Sequence, residues 1–224
     1  MNSVSAPKTQ EELLQRIHNI AGYTLTELSE QQNLTVPANL QHAKGWAGQL
    51  IENCLGASAG SRAEPDFPEL GIELKTIPLT AAGQPKETTY VCTVPLSGEM
   101  TLEWENSWVR RKLNHVLWLP IEADPNIPIG ERHIGSGLLC HLTEQQDQIL
   151  KQDWEEHMEL IATGRVDEIS AHHGTYLQVR PKAANSHALR ETTNEQGEMV
   201  KTLPRGFYLR TTFTSEVLSQ HFVV

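Results

Sequence analysis

The chain has only three cysteines, Cys54, Cys92 and Cys140; they are odd in number, widely spaced and free of any Cys-x-x-Cys pair. That usage excludes a disulfide framework, argues against a zinc site and points to a reduced, cytoplasmic compartment. No run of about 18 apolar residues occurs, so no membrane-spanning helix is expected. The stretch Met1-Asn2-Ser3-Val4-Ser5-Ala6-Pro7-Lys8 lacks the apolar core of a signal peptide and is expected to be a short flexible lead-in. Internal repeats and low-complexity tracts are missing too. Basic residues are outnumbered, 18 Lys and Arg against 28 Asp and Glu, for a net charge of -10. A phosphate binder usually carries the opposite balance.

The distribution of charge weakens that objection. From Glu144 to Glu168 eight acidic residues face two basic ones, Lys151 and Arg165. From Ala171 to Ser215 six basic residues face three acidic ones, with His172, His173 and His187 in addition. An acidic back and a mildly basic C-terminal region can share one molecule. With 224 residues, 38% hydrophobic and 21% charged, the chain is long enough for one large domain or two small lobes with a sizeable core.

Thr9-Gln10-Glu11-Glu12 reads as a capping box opening a helix through Leu13, Leu14, Ile17 and Ile20, ended by Gly22. Thr24-Leu25-Thr26-Glu27 repeats the signature for a shorter helix that stops before Pro37. A third helix is expected from about Trp46 to Leu55, broken by Gly56-Ala57-Ser58-Ala59-Gly60-Ser61. The period then changes to two, with Ile72, Leu74 and Thr76 alternating against Glu73, Lys75 and Ile77 until Pro78 closes the strand. Further strands are expected over Thr88 to Val94, His115 to Ile121, Thr175 to Arg180 and Gly206 to Thr211. Gly83-Gln84-Pro85 fits a hairpin loop between the first two. A long helix from Thr143 to Thr163 carries an apolar stripe of Ile149, Leu150, Trp154, Met158 and Ile161, and its acidic residues read as a solvated face. The order of elements predicts a mixed α/β domain.

The segment richest in chemistry is Asp66-Phe67-Pro68-Glu69-Leu70-Gly71-Ile72-Glu73-Leu74-Lys75. Side chains two apart on a strand share a face, so Glu73 and Lys75 project together while Leu74 packs behind. Alone, such a pair is usually an exposed ion pair worth roughly 0–1 kcal/mol. Its context differs: Asp66 arrives from a turn containing Pro68 and Gly71, and Glu52 lies on the preceding helix. Two carboxylates and a backbone carbonyl suit magnesium, which prefers oxygen ligands and keeps several waters. Such an ion lowers the pKa of a bound water, and a neighbouring lysine stabilises charge on a phosphate. His133, His172 and His173 are spaced for neither a zinc site nor a triad, and Ser58 and Ser61 have no identifiable histidine–carboxylate partner.

Asp66, Glu73, Leu74 and Lys75 match the Asp...(Asp/Glu)-x-Lys motif of the type II restriction-endonuclease superfamily. More narrowly, the chain resembles the MutH family of DNA mismatch repair endonucleases. The resemblance runs over nearly the whole chain through Lys44-Gly45-Trp46, Leu55 to Ser61, Gly71-Ile72-Glu73-Leu74-Lys75-Thr76, Glu87-Thr88-Thr89, Val109-Arg110-Arg111-Lys112-Leu113 and Val116-Leu117-Trp118. It continues through Arg180-Pro181-Lys182-Ala183-Ala184-Asn185 and Leu203-Pro204-Arg205-Gly206-Phe207-Tyr208-Leu209. It implies a restriction-endonuclease-like mixed sheet flanked by helices, with two lobes around a DNA-binding cleft. The approximate boundary is a catalytic lobe over 1–110 and a DNA-recognition lobe over 111–224.

The resemblance also implies a magnesium-dependent monomer that nicks the unmethylated strand 5′ to the G of hemimethylated GATC sites, activated by MutL. Carried over position by position, Asp66, Glu73 and the Leu74 carbonyl become metal ligands and Lys75 the catalytic lysine. Glu52 becomes an additional active-site carboxylate and metal ligand, and Lys112 a second functional lysine. Arg180-Pro181-Lys182 is expected on a loop, with Lys182 donating to guanine O6 and N7 and Arg180 gripping the backbone. Tyr208 would sense a methyl group on adenine N6, Lys44 would contact phosphate, and Glu87 and Tyr90 would lie near the recognition surface. Tyr90 stands where the family is expected to have phenylalanine, and Arg62 where it often has lysine. The rival readings are a restriction-type endonuclease cutting both strands and a catalytically silent DNA-binding repair protein. The first usually needs a dimer or a duplicated domain, and this chain has no repeat.

Overall fold

Threonine hydroxyls open the first two helices. Helix α1 (Gln10–Ile20) starts where Thr9 Oγ1 accepts from the Glu12 amide at 3.2 Å. The expected reciprocal bond takes another course: the Glu12 carboxylate accepts from the Lys8 amide and from Arg16. Helix α2 (Leu25–Gln31) carries the full box between Thr24 and Glu27. The remaining elements are α3 (Trp46–Leu55), β1 (Glu73–Leu79), β2 (Thr89–Thr93), α4 (Trp108–Leu113), β3 (His115–Glu122), β4 (Leu138–His141) and α5 (Glu144–Ala162). They are followed by β5 (Leu177–Pro181), β6 (Arg190–Thr193), β7 (Met199–Thr202), β8 (Arg205–Leu209) and α6 (Thr211–His221). This computed structural model describes residues 4–37, 45–60, 62, 64–96, 101–170, 172–182 and 189–221.

The chain forms two compact units, Met1–Glu87 with His115–His141, and Thr88–Asn114 with Leu142–Val224. This division differs from a single boundary near residue 110, and strand pairing is the reason. β3 joins the first unit because it pairs in parallel with β1, while β2 joins the second because it pairs with β8. A parallel pair needs a long crossover. Here the crossover carries β2 and α4 into the second unit before the chain returns as β3.

In the first unit the sheet order is β1-β3-β4, with β4 antiparallel to β3. Val116 to Ile121 are buried in succession, as befits a central strand covered on both faces. Leu117, Leu119 and Ile121 join Leu74 in a core with Leu13, Ile17, Leu28, Leu50 and Ile51 of the three N-terminal helices. Each such side chain contributes about 1.5–3 kcal/mol by leaving water.

Three expectations change in this unit. Strand β1 runs through Pro78 to Leu79, because β1 is an edge strand where a missing N–H costs no ladder bond; Pro78 lies opposite Ile121. The turn at residues 80–85 forms, with the Gly83 amide donating to the Thr80 carbonyl at 2.9 Å, and Leu79 meets Pro85 in an antiparallel bridge, but β1 is not paired with β2. The lead-in is held from Ser5 onward. The Arg16 guanidinium donates to the carbonyls of Ser5 and Leu55 at 2.6 and 2.7 Å, and Pro7 is buried. Gly56 permits this: at φ +81°, a Cβ there would lie 2.3 Å from the Ser5 carbonyl oxygen.

The second unit is built on an antiparallel sheet, β2-β8-β5, with a bulge between Tyr90 and Cys92. Phe207 and Leu209 of the central strand are buried, as are Leu177 and Val179 of β5. Helix α5 packs against β5 and buries Leu150, Trp154, Met158 and Ile161. Asp153 departs from the expected solvated face. It is 5% exposed, and its carboxylate accepts from the amides of Thr175, Tyr176 and Leu177 at 2.7, 2.6 and 2.8 Å. This carboxylate fixes the entry into β5. The β6–β7 hairpin was not anticipated; its turn is made by Asn194, whose Oδ1 accepts from Gln196 and Glu198, and by Gly197 at φ +79°.

Candidate functional site

Asp66 is folded back onto the start of β1 by a tight loop. Phe67 and Ile72 exchange backbone bonds of 2.9 and 3.3 Å around a single 3-10 turn, Pro68–Leu70, which ends on Gly71 at φ +65°. The Asp66 carboxylate then accepts from the Leu74 amide at 2.9 Å. Its own carbonyl accepts from the amides of Ser58 and Ala59 at 3.0 and 3.4 Å. The small-residue loop after α3 therefore clamps the backbone of Asp66. Arg62 in turn ties that loop, donating to the carbonyls of Ala59 and Ser58.

Glu73 and Lys75 share a face of β1, as alternation requires. The Lys75 ammonium donates to Glu73 Oε1 at 2.6 Å, with side-chain exposures of only 12% and 2%. Burial separates this pair from an ordinary surface Glu-x-Lys. Two charges removed from water are sustained only by close mutual contact and further polar partners. Lys75 lies opposite Trp118 in the register, and Glu73 opposite Val116, so apolar groups flank the pair across the ladder. Leu74 packs into the core behind, as expected.

Glu52 is half-buried on α3, where its carboxylate accepts from Gln49 at 3.2 Å. Among the described residues no group of three or more His, Cys, Asp or Glu side chains is arranged to hold a metal ion. The oxygen atoms present at the start of β1 are those of Asp66, Glu73 and the backbone carbonyls. Oxygen-only donors of this kind fit a hard cation whose remaining positions are taken by water. Lys112 is half-buried near the end of α4, in the second unit. Lys44 lies outside the described residues.

In the second unit a polar and aromatic face forms on the β2-β8-β5 sheet, opposite the buried Phe207 and Leu209. Tyr90 of β2 is the register partner of Tyr208 of β8, and their rings meet edge-on with centroids 5.3 Å apart. The Arg180 guanidinium stands 5.8 Å from the Tyr208 ring centre and donates to Thr88 Oγ1 at 2.9 Å. The Lys182 ammonium sits 2.9 Å from the Tyr90 ring centre. Desolvation, then the neighbouring Tyr90, raises the pKa of the Tyr208 phenol above its ordinary value. Glu87 is exposed at the end of the first segment, outside this group.

Arg180 and Pro181 lie within β5, not on a loop. Pairing with β8 continues to Pro181 opposite Arg205, and β5 is an edge strand that tolerates proline. Lys182 follows directly, its amide donating to the Pro204 carbonyl at 2.7 Å. The hydroxyl that distinguishes Tyr90 from phenylalanine is bonded to Thr93 Oγ1 at 3.1 Å. Thr88 and Asp153 escaped sequence reasoning. Asp153 left one signal: it falls inside the apolar stripe of α5, three residues after Leu150.

The profile of the family described as DNA mismatch repair enzyme MutH matches residues 55–153. Curated relatives extend the match to the rest of the chain. A DNA mismatch repair protein MutH from Pectobacterium atrosepticum is 52% identical over 100% of this chain and 98% of its own length. One from Vibrio vulnificus is 54% identical over 96% of this chain and 95% of its own. One from an Escherichia coli O6:K15:H31 strain is 51% identical over 99% and 96%. With identity at this level across both units, the mixed α/β fold is restriction-endonuclease-like, and the chain belongs to the MutH family of DNA mismatch repair enzymes.

Proposed function

We propose that this chain is a magnesium-dependent mismatch-repair endonuclease that nicks the unmethylated strand 5′ to the G of hemimethylated GATC sites. It acts as a monomer in the cytoplasm and is activated by MutL. The observation that carries the reading is the buried Glu73–Lys75 pair with Asp66 folded onto the next amide. A surface ion pair has no need of such burial, whereas a site for phosphodiester hydrolysis needs fixed carboxylates and a fixed cation in a dry setting.

Asp66, Glu73 and the Leu74 carbonyl would hold the ion. When bound, magnesium makes a water more acidic and offsets the negative charge of the scissile phosphate. Lys75, fixed beside Glu73, stabilises the charge that grows on the attacked phosphate and orients the water. Glu52, on α3, which packs against β1, would add a further carboxylate ligand to the ion. Lys112 holds a phosphate.

Readout of the site belongs to the face on the second unit. Lys182 donates to guanine O6 and N7, and Arg180 grips the backbone. Pro181 stiffens their presentation. The Tyr208 phenol stands near adenine N6, where a methyl both fills space and removes a donor. Tyr90, Glu87 and Lys44 border the same DNA.

The test is a nicking assay on a supercoiled plasmid carrying one hemimethylated GATC site, run with magnesium and with EDTA, and with or without MutL and ATP. Nicking that requires magnesium and falls only on the unmethylated strand is expected. Cutting of both strands would replace this reading with that of a restriction-type enzyme. No cutting with MutL and ATP present would leave a silent DNA-binding protein.

A further inference from the structure

Gly206 is the second residue of β8, the central strand of the second unit, opposite Thr93 on one side and Arg180 on the other. It is not among the glycines with positive φ, so backbone conformation does not demand glycine there. Space does. A Cβ built at this position would lie 2.9 Å from Tyr90 Cε2, 3.1 Å from Tyr208 Cε2 and 3.4 Å from Tyr90 Cδ2. The edges of both rings fill the place a methyl would take.

Those two rings are what the cations of this face rest on. Lys182 sits over Tyr90, and Arg180 stands against Tyr208. One missing methyl thereby sets four side chains, three from the three strands and Lys182 just past the end of β5. We propose that Gly206 is a specificity-determining position: its bare Cα lets Tyr90 and Tyr208 close edge-to-face and so sets the height and spacing of Lys182 and Arg180 above the sheet. This rests on the reading of that face as the one that recognises GATC and its methylation.

The kind of atom met at Gly206 predicts what substitution does. At Gly174 and Gly164 an added Cβ would strike backbone, 1.9 Å from the Leu177 carbonyl oxygen and 2.3 Å from the Asn194 carbonyl carbon. At Gly206 the three nearest atoms all belong to ring edges, which tilt about their own side-chain bonds. Gly206→Ala should therefore keep the fold and move the rings, carrying the two cations with them. Base readout depends on donor placement to a few tenths of an ångström, so discrimination suffers before chemistry does.

The experiment uses the full chain, Gly206→Ala, in the plasmid assay with hemimethylated GATC and with a single-base variant of the site. Preference for GATC over the variant should fall roughly ten-fold or more, the scale of one lost base contact. KM should rise much more than kcat falls, which a general loss of folded protein would not produce. A thermal melt run alongside reports whether the variant is folded. A double-mutant cycle adds a second handle: Tyr90→Val removes the ring atoms that the methyl meets, so Gly206→Ala should cost much less in that background. Equal costs in both backgrounds, or unchanged discrimination by folded Gly206→Ala, would overturn the proposal. If the native chain itself showed no preference for GATC, the reading of this face would fail first, whatever Gly206 does.

Discussion

Replacing Lys75 by methionine tests whether the ion pair at β1 is buried in an energetic sense. The side chains are similar in length, so the substitution removes charge with little change in shape. In the native chain the ammonium lies 2.6 Å from Glu73 Oε1, with only 12% and 2% of the two side chains exposed. At an effective dielectric constant of about 20, their attraction is roughly 6 kcal/mol before desolvation is counted. Removing one partner leaves the other charge buried, and the expected loss of stability is about 3–5 kcal/mol. That is a large share of the roughly 5–15 kcal/mol typical of a domain. Urea unfolding followed by circular dichroism would read it as a lower midpoint with an unchanged slope. The double variant Glu73→Gln/Lys75→Met removes both charges and should regain most of the lost stability while remaining inactive. A Lys75→Met unfolding free energy within about 1 kcal/mol of native, the range of surface pairs, would refute the reasoning.

Lys182→Ala should weaken specific binding by roughly 1–3 kcal/mol, measured as the affinity ratio between GATC and an altered site at fixed salt; an unchanged ratio would remove it from base readout. Tyr208→Ala should reduce the preference for the unmethylated strand, and equal strand ratios for variant and native would end its role as methyl sensor. Asp153→Ala leaves three backbone amides of residues 175–177 without their acceptor and should cost at least about 3 kcal/mol, read by urea unfolding. Burial holds the His157 imidazole below its ordinary pKa; its ring is fully buried and bonds the Leu177 carbonyl. Its stabilising contribution is therefore complete above an unfolded value of about 6.5 and is lost progressively as pH falls below it. Urea midpoints from pH 7.5 to 5 should fall less steeply for His157→Phe, and identical slopes would contradict this.

Local chemistry made much of the chain legible. The helix starts at Thr9, Thr24 and Thr143 follow from hydroxyls that must satisfy open amides, and each appears where its threonine stands. The alternation around Glu73, Leu74 and Lys75 assigned two polar groups to one face and leucine to the other, because strand geometry leaves no alternative. The family motif made Asp66 a member of the same site, and the positions of Pro68 and Gly71 matched a turn that folds it back.

Tertiary structure alone decided what those local patterns pair with. Nothing in residues 80–88 distinguishes a hairpin from the start of a long crossover; β1 is parallel to β3, and β2 belongs with β8, because of contacts with residues far along the chain. Proline at 78 and 181 marks strand ends to a reader of sequence, yet on edge strands its missing N–H is harmless and the strands run on. Asp153 resembles its acidic neighbours on α5 until the amides of residues 175–177 arrive beneath it. Gly206 looks like any strand glycine, and only the rings of Tyr90 and Tyr208, one of them more than a hundred residues away, give its missing methyl a purpose. Backbone periodicity is a property of neighbours in sequence. Burial, register and the occupancy of a given cubic ångström are properties of the packed whole.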